Sequence, residues 1–420
     1  MIQSKNYPWI LVGLLWVVAL LNYMDRQMLA TMKPSMQIDI AELQMAANFG
    51  RLMAVFLWIY GFMSPVAGMI ADKVSKKWLI VGSLMVWSGV TFAMGYATSF
   101  NQLYALRALM GVSEALYMPA GLALVAEFHT SKTRSLAVGI HMTGTYMGQA
   151  LGGFGATIAD KFSWNTAFHT FGLIGILYAI VLIFFLKDKK STVIETAPPS
   201  VTQGLMAQNA SIKTPLFKGL GVLLSNVSFW IILFYFAIPS LPGWAIKNWL
   251  PTLFASKLNI DMAQAGPLST ITTSFSSLLG VIVGGILSDK WVQKNIRGRI
   301  YTSAIGLFLT IPALILIGFG TSLFHVIGAA FCFGVGFGMF DTNNMPIVCQ
   351  FVDAKHRATA YGLMNMVGVF AGAFITDLLG KSTDKGNLGQ SFALLAGVVL
   401  VALVIQISFL RPKVNDFIED

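Results

Sequence analysis

The sequence predicts an all-α membrane protein in which twelve transmembrane helices form two six-helix halves. Of the 420 residues, 56% are hydrophobic and only 11% are charged, and the mean hydropathy is +0.71. A soluble domain carries about 25% charged residues, so this composition excludes a cytosolic enzyme. A spanning helix needs about 20 mostly apolar residues. Twelve such runs follow one another along the chain, approximately at 9–32, 49–71, 77–97, 102–127, 134–158, 164–187, 228–253, 267–288, 300–319, 324–350, 357–379 and 389–410.

A polar segment divides the twelve runs into two groups of six. Residues 188–224 are rich in Lys, Ser, Thr and Pro and contain no long apolar run before Leu220, a composition typical of a linker. We therefore expect an N-terminal half at 1–187, a cytoplasmic linker at 188–224 and a C-terminal half at 225–420. The first run contains Asn22, Asp25 and Arg26, which is not the pattern of a cleavable signal peptide.

The net charge of +10 is explained by the predicted orientation in the membrane. Cytoplasmic loops retain Lys and Arg during insertion, and most of the 28 Lys and Arg residues fall in loops on the side of the N-terminus. Both termini of this multi-pass membrane protein are therefore expected in the cytoplasm. The charge then requires no nucleic-acid partner. The expected partners are the lipid bilayer and a small solute, and the protein is expected to be a monomer.

Two loops carry the same signature, one in each half. Gly68, Asp72 and Lys73 follow the second run, and Gly285 and Asp289 recur after the eighth. This repetition and the twelve-span plan resemble the major facilitator superfamily. Parallel repeats of this kind bind solute between the halves near the midplane. The resemblance implies that Gly68, Asp72, Lys73 and Asp289 form a cytoplasmic gate. A basic loop that touches anionic lipid is the alternative, but it leaves the repeated glycine and aspartate unexplained.

Charged side chains inside the predicted helices mark a candidate site, because such residues are costly in a bilayer and face the bundle interior. Asp25 and Arg26 lie in the first run, and Arg107 and Glu114 lie two helical turns apart in the fourth. Counting along each helix at the α-helical rise places all four in one layer. Protonation of an acid there would release an arginine to bind an anion. The alternative is a static ion pair that only fixes the two helices.

The segments around these charges narrow the family resemblance. Asn22-Tyr-Met-Asp25-Arg26 and Arg107-x6-Glu114 are similar to segments of the anion:cation symporters, a group that includes bacterial sugar-acid transporters and sialic acid carriers. The resemblance implies symport of a proton with an organic acid. It assigns proton coupling to Asp25 and Glu114, and it places Arg26 and Arg107 in and around the substrate site.

The same resemblance implies further cavity positions. Tyr60 in the second run and Asn365 in the eleventh match positions that line the cavity. Thr145 in the fifth run stands where sugar-acid members carry glutamine, so the hydrogen bonds to the sugar body are expected to differ. His141, one turn earlier, either contacts the substrate or is a buried structural histidine.

Two charged residues of the C-terminal half remain ambiguous from the sequence. Lys247 follows Pro242, Gly243 and Trp244, and it either offers a second contact to an anion or extends to the outer membrane interface. Asp341 lies in a polar run that ends in a proline, and polar backbone is tolerated within a membrane only where it faces protein or a cavity. We therefore count Asp341 as a cavity candidate.

Glycines and the lack of reactive clusters complete the prediction. Gly144, Gly148 and Gly152 recur at every fourth position of the fifth run, a pattern that favours close helix packing. The sequence shows no metal-ligand cluster and no nucleophile triad, so we expect no enzymatic activity, no metal and no cofactor, with protons as the coupling ion.

The predicted function is proton-coupled import of a small organic anion, most simply a hexuronate or aldonate, by alternating access. A lysolipid carrier on the same fold is the alternative, because the Tyr-Met-Asp-Arg segment also resembles spinster-type carriers.

Overall fold

The structure is a computed structural model that describes residues 6–71, 74–188, 221, 223–352 and 357–412. All regular structure in these ranges is helical, as predicted. Apart from a short 3-10 turn at Ala41–Gln44, the helices are α1 (Tyr7–Asp39), α2 (Ala46–Ala71), α3 (Lys76–Met94), α4 (Phe100–Ala115), α5 (Tyr117–Phe128), α6 (Ser131–Gly152), α7 (Gly155–Lys161), α8 (Trp164–Phe185), α9 (Val227–Leu258), α10 (Met262–Val292), α11 (Gly298–Phe319), α12 (Leu323–Asp341), α13 (Asn344–Cys349), α14 (Arg357–Asp384) and α15 (Leu388–Phe409).

These helices make up twelve spans because three of the spans are interrupted. The fourth span is α4 and α5, the fifth is α6 and α7, and the tenth is α12 and α13. In the described ranges, eleven spans are long and apolar enough to cross a bilayer. The remaining span contains α6, where His141, Thr145 and Gln149 reduce the apolar character. The predicted all-α, twelve-helix fold class is confirmed. The linker predicted at 188–224 lies almost wholly outside the described residues, so the domain boundaries stay predictions.

The less apolar α6 is held against α1 by its glycines. A Cβ atom at Gly144 would lie 2.6 Å from the Trp16 carbonyl oxygen, and one at Gly152 would lie 2.6 Å from Cβ of Gln27. A Cβ atom at Gly148, which lies between these two positions, would collide with the Leu20 carbonyl oxygen. The predicted packing role of these glycines is confirmed, because any larger side chain would push α6 away from α1.

The two halves meet tightly at one end of the bundle. α2 packs on α14, and α6 and α7 pack on α10. A Cβ atom at Gly380 would lie 2.6 Å from the Ala46 carbonyl oxygen, and Gly153 lies against Gly266 and Thr270. The Thr157 hydroxyl donates a hydrogen bond to the Ala263 carbonyl oxygen at 2.9 Å. This closed end lies on the side that the sequence predicts to be extracytoplasmic.

Asp384 joins the halves at the closed end by capping a helix of the opposite half. Its two carboxylate oxygens accept hydrogen bonds from the backbone N–H groups of Ala46 and Ala47, at 2.7 and 2.8 Å. These N–H groups open α2, where the helix has unsatisfied donors and a partial positive charge. The cap therefore stabilises the conformation in which this end is closed.

The halves separate toward the opposite end. Gly61 of α2 still meets Phe370 of α14, whereas a Cβ atom at Gly68, two turns further along, would have no neighbour within 4 Å. The polar contacts of the described residues at this end stay within one half, as in the bond from Gln350 to the Ile296 carbonyl oxygen. The bundle is thus open on the side predicted to be cytoplasmic.

The predicted gate residues lie at the open end. Gly68 is near the end of α2, and Asp289 is exposed near the end of α10. Asp72 and Lys73 fall outside the described residues. The gating role stays a prediction.

Replacing Asp384 by Asn should loosen the closed end. Loss of the charged cap removes about 1 kcal/mol, or roughly a fivefold change in the ratio of closed to open forms. Spin labels at Glu42 and Lys385, introduced in a variant whose two cysteines are replaced by serine, would report this change as an added population at longer distance. Asp261→Asn is a matched control, because Asp261 lies exposed at the same end without a side-chain cap bond. An unchanged distance distribution in Asp384→Asn would contradict the role of the cap.

Candidate functional site

The central feature of the N-terminal half is an ion pair between Arg26 of α1 and Glu114 of α4. Nε of Arg26 lies 2.6 Å from Oε2 of Glu114, and the Asn22 side-chain amide donates to the same oxygen at 3.0 Å. Glu114 is fully buried, and α4 ends at the next residue. Charges taken out of water are stable only with close partners, and removing one partner leaves the other uncompensated. The Arg26 guanidinium therefore favours the ionised form of Glu114, and Glu114 neutralises Arg26.

Aromatic rings surround the Arg26 guanidinium. Its central carbon lies 4.9 Å from the ring centre of Tyr23 and 4.8 Å from those of Phe56 and Tyr60. Such rings attract a cation and fix the plane of the guanidinium. Nη2 of Arg26 is buried and has no hydrogen-bond partner among the described residues. Arg26 thus has one nitrogen bound to Glu114 and another still able to bind an anion.

Arg107 and Asp25 lie beside this pair. The Arg107 guanidinium lies 4.7 Å from the ring centre of Phe56, so both arginines contact this ring. Asp25 accepts a hydrogen bond from the Thr91 hydroxyl at 3.3 Å and interacts electrostatically with Glu114 and Arg107. Asp25 and Arg107 are both buried. The structure brings the four charges together, as the single layer inferred from the sequence requires.

Lys247 and Asp341 face the central space from the C-terminal half. The Lys247 ammonium lies 5.0 Å from the ring centre of Trp244, and its backbone carbonyl accepts a bond from the Gln27 amide of α1 at 2.9 Å. Asp341 is exposed and accepts a bond from the Asn344 amide at 3.2 Å. Lys247 interacts electrostatically with Asp341 and Arg26. Lys247 therefore points into the space between the halves and not toward the outer membrane interface.

Two of the remaining predicted residues, Tyr60 and Asn365, lie on the cavity side of their helices. Tyr60 contacts Arg26, and Asn365 is half-buried on α14 one turn after the exposed Tyr361, which interacts electrostatically with Asp341. Residues four apart share a helix face, so Asn365 lies on the cavity side of α14.

His141 and Thr145 lie elsewhere on α6. His141 is fully buried against the Tyr117 ring, with 6.0 Å between ring centres. Thr145 donates to the Met142 carbonyl oxygen of its own helix at 2.7 Å. In the described part of the chain, no hydrogen bond, ion pair or ring contact joins either residue to Arg26 or Glu114. The structure does not bring them to the charged cluster.

A narrow cleft between the halves, lined by both polar and apolar side chains, was not predicted. It lies beside Lys247, between α1, α6, α9 and α10. The Gln149 amide is half-buried there and makes no hydrogen bond to a described residue. Gln149 lies one turn after Thr145, and the run of Ser and Thr in 269–277 is a second sequence feature that could have indicated the cleft. The polar side chains that line it are Gln27, Gln149, Lys247, Ser269, Thr270, Thr273 and Ser274.

A twelve-helix bundle that is closed at one end, open at the other and charged in its interior defines a solute transporter of the membrane. The chain belongs to the Major Facilitator Superfamily, whose family model matches residues 15–376. It is 24% identical to the hexuronate transporter of Bacillus subtilis (strain 168), over 99% of this chain and 97% of that protein. It is 27% identical to the galacturonate transporter of Dickeya chrysanthemi, over 76% of this chain and 92% of the relative.

Solved structures show the same fold. The crystal structure of a bacterial homologue of the human lysosomal transporter Spinster, inward-facing and occupied, matches with a TM-score of 0.76 at 17% identity. The match covers 96% of this chain and 97% of that one. At this identity the likeness concerns the fold and not the transported solute.

Proposed function

We propose that the protein imports a sugar acid together with protons, by alternating access of a site between its two halves. The observation that carries this proposal is the buried Arg26–Glu114 pair. The titratable carboxylate of Glu114 is bound to Arg26, which is the cation best placed to bind a substrate carboxylate. The related hexuronate and galacturonate transporters support the substrate class. The proposed location is a bacterial inner membrane, with both termini in the cytoplasm.

The geometry supports a simple coupling mechanism. While Glu114 is ionised, it neutralises Arg26 and competes with an incoming carboxylate. A proton on Glu114 removes that attraction, and the substrate carboxylate then binds Arg26 through charge-assisted hydrogen bonds. The aromatic rings hold the guanidinium in place during this exchange. Asp25 is the second candidate proton carrier, because it lies near Arg107 and Glu114.

In the proposed cycle of alternating access, the two ends of the bundle open in turn. Substrate and proton enter when the extracytoplasmic end is open. The loaded site is then exposed to the other side when Gly153 and Gly266 meet and Asp384 caps α2. In the inward-open form, loss of the proton from Glu114 restores its pairing with Arg26, which displaces the substrate. Tyr60 and Asn365 contact the body of the substrate.

Uptake into proteoliposomes tests the proposal through Glu114→Gln. The wild-type protein should accumulate galacturonate when the outside is made acidic. The variant keeps a neutral side chain of similar size and cannot carry the proton, so it should still exchange galacturonate across the membrane but should not accumulate it against a gradient. The expected loss of proton-driven accumulation is about tenfold for each pH unit of the imposed gradient, because one coupled proton contributes about 1.4 kcal/mol per unit.

Glu127→Gln is the matched control, because Glu127 lies at the membrane surface in an ion pair with Lys76. Accumulation by Glu114→Gln equal to wild type would refute the coupling mechanism. Failure of any hexuronate or aldonate to be taken up, with inhibition by lysophospholipid, would favour the lysolipid carrier instead.

A further inference from the structure

Two short sequence patterns recur in equivalent helices of the two halves. The first span of each half carries an aromatic residue three positions before a cation, as Tyr23 and Arg26 in α1 and as Trp244 and Lys247 in α9. The fourth span of each half carries an acid followed by x3-Met-Pro, which reads Glu114-Ala-Leu-Tyr-Met-Pro and Asp341-Thr-Asn-Asn-Met-Pro. In parallel repeats, such positions are related by the axis between the halves.

The structure reproduces the correspondence in three dimensions. Each cation lies over its aromatic residue, with 4.9 Å from Arg26 to the Tyr23 ring centre and 5.0 Å from Lys247 to that of Trp244. Each acid lies where its span is interrupted, since α4 ends one residue after Glu114 and α12 ends at Asp341.

Each acid also accepts a hydrogen bond from an asparagine. Asn22 donates to Glu114 at 3.0 Å, and Asn344 donates to Asp341 at 3.2 Å. Arg26 and Glu114 form the charged unit of the N-terminal half. Lys247 and Asp341 form a corresponding unit that faces it from the C-terminal half.

The two charged units differ in whether the acid contacts the cation directly, and this difference bears on which substrate is preferred. In the N-terminal unit the acid and the cation form a direct ion pair. In the C-terminal unit Asp341 interacts with Lys247 electrostatically, but no ion pair within 4.0 Å and no hydrogen bond to the ammonium exists among the described residues. An ammonium held inside a membrane bundle without a direct partner favours an anion beside it.

We infer that Lys247 and Asp341 form a second anion subsite, so that the preferred substrate is a sugar acid that carries a carboxylate at each end. This inference rests on the proposed function. One carboxylate binds Arg26 and the other binds Lys247. Beside Lys247, the Gln149 amide offers a hydroxylated substrate a donor and an acceptor, since it makes no hydrogen bond to a described residue. A substrate whose far end is a neutral hydroxyl would leave Lys247 to Asp341 and would gain no charged contact at this end.

When it is ionised, Asp341 competes with the second carboxylate for Lys247, just as ionised Glu114 competes with the first carboxylate for Arg26. Like charges repel at short range, so the second carboxylate binds Lys247 best when Asp341 is protonated. Uptake of a dicarboxylate therefore draws one more proton than uptake of a monocarboxylate. The titratable and charged groups that interact electrostatically with Asp341 are Lys247 and Tyr235 of α9, Tyr23 of α1, Tyr146 of α6 and Tyr361 of α14.

A competition assay separates this inference from the proposed function. Proteoliposomes containing the full chain take up labelled galacturonate, and unlabelled galactarate, a dicarboxylate, or galactonate, a monocarboxylate of the same carbon skeleton, is added as competitor. We expect galactarate to inhibit at a concentration about tenfold lower than galactonate, because it gains one charged contact. Lys247→Gln should abolish that preference, and Lys247→Arg should retain it. Asp341→Asn should make galactarate uptake less dependent on external acid.

Lys257→Gln serves as the control, since Lys257 lies at the end of the same helix and donates to the Gly320 carbonyl oxygen. A single symmetric peak in size-exclusion chromatography establishes that each variant is folded. Equal inhibition by the two competitors, or a preference that survives in Lys247→Gln, would overturn the inference and leave the proposed function intact. Absence of galacturonate uptake and of binding by either competitor would refute both.

Discussion

Replacing Arg26 by Lys is expected to lower the rate of sugar-acid uptake by about a hundredfold, although the positive charge is kept. A lysine ammonium is a point charge without the rigid fork of guanidinium donors, so it cannot reproduce the geometry in which Nε contacts Glu114 and Nη2 is available to the substrate. It also lacks the planar group that fits among Tyr23, Phe56 and Tyr60. Each charged hydrogen bond lost is worth about 1.5–3 kcal/mol. Initial rates of galacturonate uptake into proteoliposomes measure the effect.

The control for this variant is Arg411→Lys. Arg411 is exposed after the end of α15, so its replacement tests whether any arginine-to-lysine change harms the protein. If Arg26→Lys kept more than about a tenth of the wild-type rate, the guanidinium would contribute at most about 1.4 kcal/mol, and binding of the carboxylate would have to be assigned to another cation.

Replacing Gly266 by Leu is expected to reduce transport strongly by opposing closure of the extracytoplasmic end. A side chain at this position would collide with the Gly153 carbonyl oxygen and approach Thr31. Overpacking of this kind costs about 1–3 kcal/mol, which reduces the closed population by roughly five- to a hundredfold or more. The spin-label pair at Glu42 and Lys385 should therefore report mostly long distances, and net uptake should fall with the closed population.

Gly397→Leu is the matched control for that experiment. It lies in α15, where an added Cβ atom has no neighbour within 4 Å. If Gly266→Leu gave the wild-type distance distribution, the contact between α6 and α10 would not be what closes this end. If the distances lengthened while uptake stayed normal, closure of the end would not be required for transport, and the alternating-access proposal would be contradicted.

Hydrophobic runs predicted the fold because a bilayer imposes a minimum length on every helix. The twelve spans follow from that constraint, and the Gly144, Gly148 and Gly152 pattern correctly predicted close packing of α6. The interruption of the fourth span after Glu114 was not predicted. Its apolar composition continues across the break, but Pro119 was the available signal, because a proline has no backbone N–H to donate to the Ala115 carbonyl oxygen.

The sequence identified those site residues whose signal lies within one helix. It did not determine features that depend on how two helices pack together. Charges inside apolar runs identified Arg26 and Glu114 directly. The orientation of Lys247 depends on the neighbouring α1, and the sequence alone left it open. Thr145 and Gln149 lie one turn apart on α6, and family resemblance favoured Thr145, whereas the packed structure exposes the Gln149 amide to the cleft.

The polar character of α6 has a consequence for biogenesis. A segment that contains His141, Thr145 and Gln149 partitions into lipid less readily than its neighbours, because polar side chains oppose insertion. Its glycine face fits α1, which the ribosome has already delivered when α6 emerges. Stable insertion of α6 should therefore depend on α1 as a partner within the membrane. Damage to the glycine face would then appear as misassembled, degraded protein, before any defect in transport could be measured.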